Sequence, residues 1–201
     1  MKLWLNPASP FARKVRVVAR ETGLEGRIEE VSIAVSPVKP HAELARENPL
    51  VKIPALSTEE GTLYDSAVIC EYLDSLHGKA PLFPKAGAER WRALRLQALA
   101  DGVLEAAVLL RYESAVRPEA LQWGDWKSGQ FGKVRGGLDA LEQDCGNWGS
   151  RFGIGEITAA CVLGYLDFRF PEEGWRKTRP ALEKWYAGIA QRPSMKATQP
   201  Q

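Results

Sequence analysis

The strongest constraint on how this chain folds is a change of pattern at Gly78-Lys79-Ala80-Pro81-Leu82-Phe83-Pro84. Before it, short β-like segments alternate with Pro and Gly; after it, apolar residues recur at helical spacing over long stretches. Such a chain is read as α/β plus all-α: a small sheet unit at 1–78, a linker at 79–86 and an all-helical bundle at 87–201. With 201 residues, 45% of them hydrophobic, both parts can bury a core.

In the first part, Lys2–Leu5 reads as a strand ending at Asn6-Pro7, and Ser9-Pro10 has the form of a helix cap followed by proline at the first helical position. The helix then runs over Pro10–Thr22, buries Val15, Val18, Ala19 and Thr22, and stops at Gly23. A second strand follows at 27–33. After a variable link, segments 52–57 and 62–64 flank Glu59-Glu60-Gly61 as a hairpin would, and Asp65-Ser66 opens a helix over 66–76. The order predicts a parallel βαβ unit followed by a ββα unit.

In the second part, Leu96, Leu99, Val103, Ala106 and Leu110 keep one helical stripe, Phe131, Val134, Leu138 and Leu141 a second, and Leu182, Trp185, Tyr186 and Ile189 a third that ends at Arg192-Pro193. Residues 159–170 are apolar on nearly all sides, which places that helix at the centre of the bundle. Thr198-Gln199-Pro200-Gln201 reads as a loose tail.

Charge and composition exclude several classes of function. The 27 Lys+Arg and 25 Asp+Glu alternate in sign to a net +2, without the basic stripe that nucleic acid needs. The densest basic spot, Arg13, Lys14 and Arg16, reads as a solvated helix face. The longest apolar runs, 106–110 and 159–163, fall far short of the roughly 20 residues of a membrane span. The N-terminus breaks at Asn6-Pro7 before a signal-peptide core develops, so the reading is cytoplasmic. Cys70, Cys145 and Cys161 match neither a zinc site nor a C-x-x-C redox pair, and His41 alone makes no metal site.

Three motifs each admit two readings. Ser9 caps its helix or, at that positive helix end, donates its proton to a bound anion. Ile53-Pro54 is an ordinary trans proline at a strand start or a cis turn. Asp65-Ser66 is a helix cap or a pair that meets an ammonium and a carboxylate.

Four segments carry a resemblance: Ala8-Ser9-Pro10-Phe11-Ala12-Arg13-Lys14-Val15-Arg16, Asn48-Pro49-Leu50-Val51-Lys52-Ile53-Pro54-Ala55-Leu56, Asp65-Ser66-Ala67-Val68-Ile69-Cys70-Glu71-Tyr72-Leu73 and the ending Gln191-Arg192-Pro193-Ser194-Met195-Lys196-Ala197-Thr198. In this order, over essentially the whole chain, they resemble the cytosolic glutathione S-transferases, and most of all the bacterial serine-type members and the plant-like serine classes. The resemblance implies a thioredoxin-like N-terminal domain, a helical C-terminal domain and a homodimer. Glutathione is then a co-substrate, with no metal or redox cofactor. Ser9 would stabilise its thiolate for attack on a small electrophile; the Ile53 backbone, exposed by a cis Pro54, would pair with its cysteinyl backbone. Asp65 and Ser66 would hold the γ-glutamyl end, Lys52 would reach the glycyl carboxylate, and Lys39 and His41 lie in the link where a further contact is expected. Phe11, Leu104, Val108, Arg111 and Tyr112 are the expected walls of an electrophile pocket in the cleft between the domains.

Other members of such a family bind ligands or proteins without catalysis, and isomerases and dehalogenases share the same thiolate activation. A thiol reductase would need cysteine where Ser9 stands. Two difficulties accompany the resemblance. A hydroxyl that caps its helix would compete with the thiolate for Ser9, and Cys161 stands where an acid three residues after Thr158 would complete a capping box.

Overall fold

Leu3, Trp4 and Leu5 are buried in β1 (Lys2–Leu5), the strand on which the first unit is built in a computed structural model that describes residues 1–201. β1 feeds α1 (Pro10–Thr22), β2 (Glu29–Ser32), α2 (Ala42–Glu47), β3 (Ala55–Thr58), β4 (Gly61–Leu63) and α3 (Ser66–Ser75). The sheet order is β2-β1-β3-β4: β2 runs parallel to β1, β3 antiparallel to β1, and β4 antiparallel to β3. This is the βαβ-ββα arrangement of a thioredoxin-like domain.

Strand alternation sets the two layers. Trp4 and Ala55 cluster with Leu44 of α2, while α1 lies against α3 and α3 against β3. The second strand is shorter than its sequence pattern, because Glu25–Arg27 closes into a 3-10 turn before β2. The link contains α2, held by the fully buried Leu44. α1 is buried far more widely than one stripe: Arg13 and Lys14 are both buried, and only Arg16 reaches the edge, where it pairs with Glu30 at 2.8 Å. The solvated basic face expected of these three residues is thus confined to Arg16.

The second unit contains the long α4 (Gly87–Ala115), α5 (Gly124–Asp144), α6 (Ile154–Arg169) and α7 (Pro180–Ile189). All four apolar patterns fall on these helices, and α6 is buried at every residue from Ile154 to Leu166. It starts earlier than its apolar run. Gly153 is its cap, and the Glu156 carboxylate accepts the Gly153 N–H at 3.0 Å. Thr158 lies inside the helix, its hydroxyl donating to Ile154 C=O at 2.7 Å. The acid missing at Cys161 therefore leaves no cap unfilled, since Glu156 performs that half of the box one turn upstream.

The two compact units are Met1–Arg90 with Pro193–Gln201, and Trp91–Arg192. The last residues, including the short α8 (Pro193–Lys196), belong to the first unit, where the sequence pattern assigned them to the helical one. Of the tail expected to be loose, Thr198 is fully buried and donates to Ser194 C=O at 2.8 Å, while Gln199 and Gln201 are exposed. No helix is long and apolar enough to cross a membrane.

Candidate functional site

Sheet topology brings the candidate residues to one end of the sheet. β1 runs toward Ser9; β3 starts at that end, with Ala55 opposite Trp4; β4 returns to it, with Leu63 opposite Leu56. The β1–α1 turn, the segment before β3, the segment after β4 and the link after β2 therefore all leave from the same edge. Ser9, Ile53-Pro54, Asp65-Ser66 and Lys39 lie on these four segments.

Ser9 is placed by Asn6, whose C=O accepts the Ser9 N–H at 2.9 Å and whose side chain bridges Ile33 C=O and the Ala8 N–H, both at 3.0 Å. Ser9 Oγ accepts the Ala12 N–H at 3.3 Å, which makes it the cap of α1. A hydroxyl has one proton and two lone pairs. Capping occupies a lone pair and leaves the O–H free to donate, so the competition anticipated for Ser9 does not arise.

The Ile53–Pro54 bond is cis. The ladder between β1 and β3 ends at Ala55, so the Ile53 N–H and C=O lie beyond it. The preceding loop is braced from within: Asn48 is buried, its amide donating to Lys52 C=O at 2.9 Å and accepting the Leu50 N–H at 3.0 Å. Val51 sits at φ 51°, a left-handed conformation that is costly for a β-branched residue and is held only where the surroundings demand it. Glu47 fixes the start of the loop to the sheet. Its Oε2 accepts the Ser57 hydroxyl at 2.7 Å and also the Thr62 hydroxyl, while Trp4 Nε1 donates to Ser57 at 3.1 Å. The Ser57 and Thr62 hydrogen bonds hold the Glu47 carboxyl below its ordinary range.

Asp65 caps α3, its Oδ1 accepting the Ala67 N–H at 2.9 Å, and is otherwise exposed. Ser66, the first residue of α3, is buried, and its hydroxyl makes no hydrogen bond within the protein. Lys39 and Lys52 are exposed and form no ion pair. His41 caps α2 through Nδ1, which accepts the Leu44 N–H at 3.3 Å.

The expected pocket walls divide. Phe11 is half-buried near the start of α1, beside Lys14 Nζ. On α4, Val108 and Tyr112 are half-buried and Arg111 is exposed, and burial raises the Tyr112 phenol. Leu104 is fully buried, so it belongs to the core and presents no surface to a ligand, contrary to the expectation. No group of three or more His, Cys, Asp or Glu side chains gathers to hold a metal ion. The three cysteines are buried and form no disulfide, and burial raises the Cys145 thiol.

Asn6, Glu47 and Asn48 escaped the sequence reading as site-building residues. Asn6 and Asn48 each precede a proline, which was the one local sign of a turn. Glu47 carried none.

Comparisons with known proteins agree with this geometry. Residues 8–76 match the glutathione S-transferase N-terminal domain, and residues 124–188 its C-terminal domain. The chain is 34% identical to the uncharacterized GST-like protein YibF of Escherichia coli K12, over 100% of this chain and 98% of that one. It superposes with TM-score 0.97 and 49% identity on the crystal structure of a glutathione transferase family member from Pseudomonas fluorescens Pf-5 with bound glutathione, covering 100% of this chain and 98% of that one. A glutathione S-transferase from Methylobacillus flagellatus KT, with glutathione bound, matches with TM-score 0.89 and 38% identity, covering 100% and 99%. With both domains matched in order and a relative aligned from end to end, this chain belongs to the glutathione S-transferase family.

Proposed function

We propose that this protein is a glutathione transferase of the serine type, which ionises the thiol of glutathione at Ser9 for attack on a small electrophile. The observation that carries the reading is the convergence of four segments at one sheet edge, with the Ser9 O–H free to donate at the N-terminus of α1. Glutathione in the related structures supports it.

In this reading the Ile53 N–H and C=O pair with the cysteinyl backbone of glutathione, in the manner of an added antiparallel strand. Asp65 uses its free carboxylate oxygen for the α-ammonium, Ser66 donates to the α-carboxylate at the start of α3, and Lys52 and Lys39 serve the glycyl end. The thiol proton leaves to solvent, and the Ser9 O–H donates to the sulfur anion. A free thiol near pKa 8.5 is only about 3% ionised at pH 7, and lowering it by about 2 units takes about 2.7 kcal/mol of selective stabilisation. One hydrogen bond to an anion together with a helix N-terminus is of that order. The sulfur then forms a bond to the electrophilic carbon, and the leaving group departs with its electron pair. Phe11, Val108, Arg111 and Tyr112 are the residues assigned to the electrophile, and a cytoplasmic homodimer is the assigned working form.

Calorimetry with glutathione, and conjugation kinetics with a chlorodinitrobenzene probe, test this. The native protein binds glutathione and forms the thioether; Ser9→Ala lowers kcat about a hundredfold or more, the size of a lost anion donor, while glutathione affinity changes far less. A Ser9→Ala enzyme with native kcat removes Ser9 from the chemistry, and a native protein that binds glutathione without conjugation favours a non-catalytic binding role.

A further inference from the structure

Arg13 is 4% exposed, although it lies in the most basic stretch of the first unit. Its Nη2 donates to Met195 C=O at 3.2 Å, while Nε and Nη1 are buried without any hydrogen-bond partner. No carboxylate pairs with this guanidinium. On α1 itself, Glu21 accepts the Ser194 hydroxyl, Arg16 takes Glu30, and the buried Lys14 lies beside the Phe11 ring. Of the elements against α1, α3 carries Glu71, which pairs with Arg90, and Asp74, which accepts the Leu82 and Phe83 N–H groups and bonds His77. α8 offers only the exposed Lys196, and the turn at 25–27 the exposed Glu25 and Arg27.

Burying a cation without a counter-charge is unfavourable, and an under-satisfied buried group in a folded protein calls for a reason. Position supplies one. Arg13 is a single helical turn from Ser9, its N–H donating to Ser9 C=O at 2.9 Å, and side chains on a helix lean back toward its N-terminus. Arg13 therefore springs from the first turn of α1, the helix end that also carries the Ser9 hydroxyl, while its guanidinium is anchored on Met195 C=O.

We propose that Arg13 is an electrostatic positioning residue, whose unpaired buried guanidinium, anchored by Met195 of the C-terminal segment, stabilises the glutathione thiolate at Ser9 without touching it. This rests on the transferase reading. The negative charge that Arg13 lacks in the free protein is the one created when glutathione ionises. An opposite charge at 4–6 Å moves a pKa by 1–3 units, so from one turn further back the effect is about one unit.

The test is the 240 nm difference absorbance of bound glutathione against pH, in the full chain and in Arg13→Met, Arg13→Gln and Arg13→Lys. In Arg13→Met the bound thiol pKa rises by about one unit, turnover below that pKa falls about tenfold, and glutathione affinity measured where the thiol is protonated is nearly unchanged. Arg13→Gln, which can still donate to Met195 C=O, shows the same rise and covers the case in which Arg13→Met fails to fold. Arg13→Lys, which keeps the charge, holds the native value. A thiol pKa still depressed in the Met and Gln variants, with only a lower melting temperature, overturns the proposal and leaves Arg13 as an anchor for the C-terminal segment. A native protein that leaves the thiol at its free value overturns the transferase reading itself, a result the Arg13 variants cannot imitate.

Discussion

One hydroxyl can serve both the cap and the role proposed for Ser9 because donor and acceptor are separate resources: the lone pair that caps α1 leaves the proton unused. The caps Ser9 and Asp65 were legible in the sequence, since cap chemistry is decided within three residues. Asn6 and Glu47 were not, because their partners Ile33, Ser57 and Thr62 are distant in the chain. Arg13 was misread as a surface residue for the same reason, its covering segment lying at the other end of the sequence. Glu47 yields a pH prediction. Its folded pKa lies below the ordinary 4.5, held down first by Ser57 and then by Thr62. Its contribution to stability is therefore fully present above about pH 4.5 and is lost as pH falls through the lower folded value. Thermal melts of the native protein and Glu47→Gln should converge as pH falls below that point and separate above it; parallel curves throughout would show that the carboxylate is not responsible.

At the scale of elements, periodicity located every long helix, and the all-round apolar character of α6 correctly put it at the centre of its unit. Its start was missed because Gly153 has no side chain to announce a cap and Glu156 looks out of place in an apolar helix until its bond to the Gly153 N–H is seen. Gly155 was equally silent. A Cβ there would lie 2.8–2.9 Å from the Leu96 side chain, so α6 approaches α4 as closely as it does only because this residue is glycine. Gly155→Ala should destabilise the protein by about 1–3 kcal/mol, as overpacked cores do, seen as a lower urea midpoint. Gly102→Ala, on α4 with open space at its Cβ, is the control that should not. An unchanged midpoint in Gly155→Ala would mean that Leu96 moves aside at little cost.

For the molecule as a whole, the element order announced a parallel βαβ unit followed by a ββα unit, while the strand order that joins them, β2-β1-β3-β4, is seen only in the structure and gathers the four candidate segments at one end of the sheet. What the sequence could not reveal is the return of residues 193–201 to the first unit, since nothing local marks Met195 and Thr198 as buried. Met195 is 1% exposed, and Met195→Ala should cost about 2–5 kcal/mol in denaturant unfolding. A loss well below 1 kcal/mol would show that the segment is dispensable. The central claim is that Ser9 ionises glutathione, and the ultraviolet absorbance of the bound thiolate, titrated in the native protein and in Ser9→Ala, tests it most directly. The account predicts a bound thiol pKa about two units below its free value in the native protein and a return toward that free value in Ser9→Ala; an equally depressed pKa in both proteins, or none in either, would contradict it.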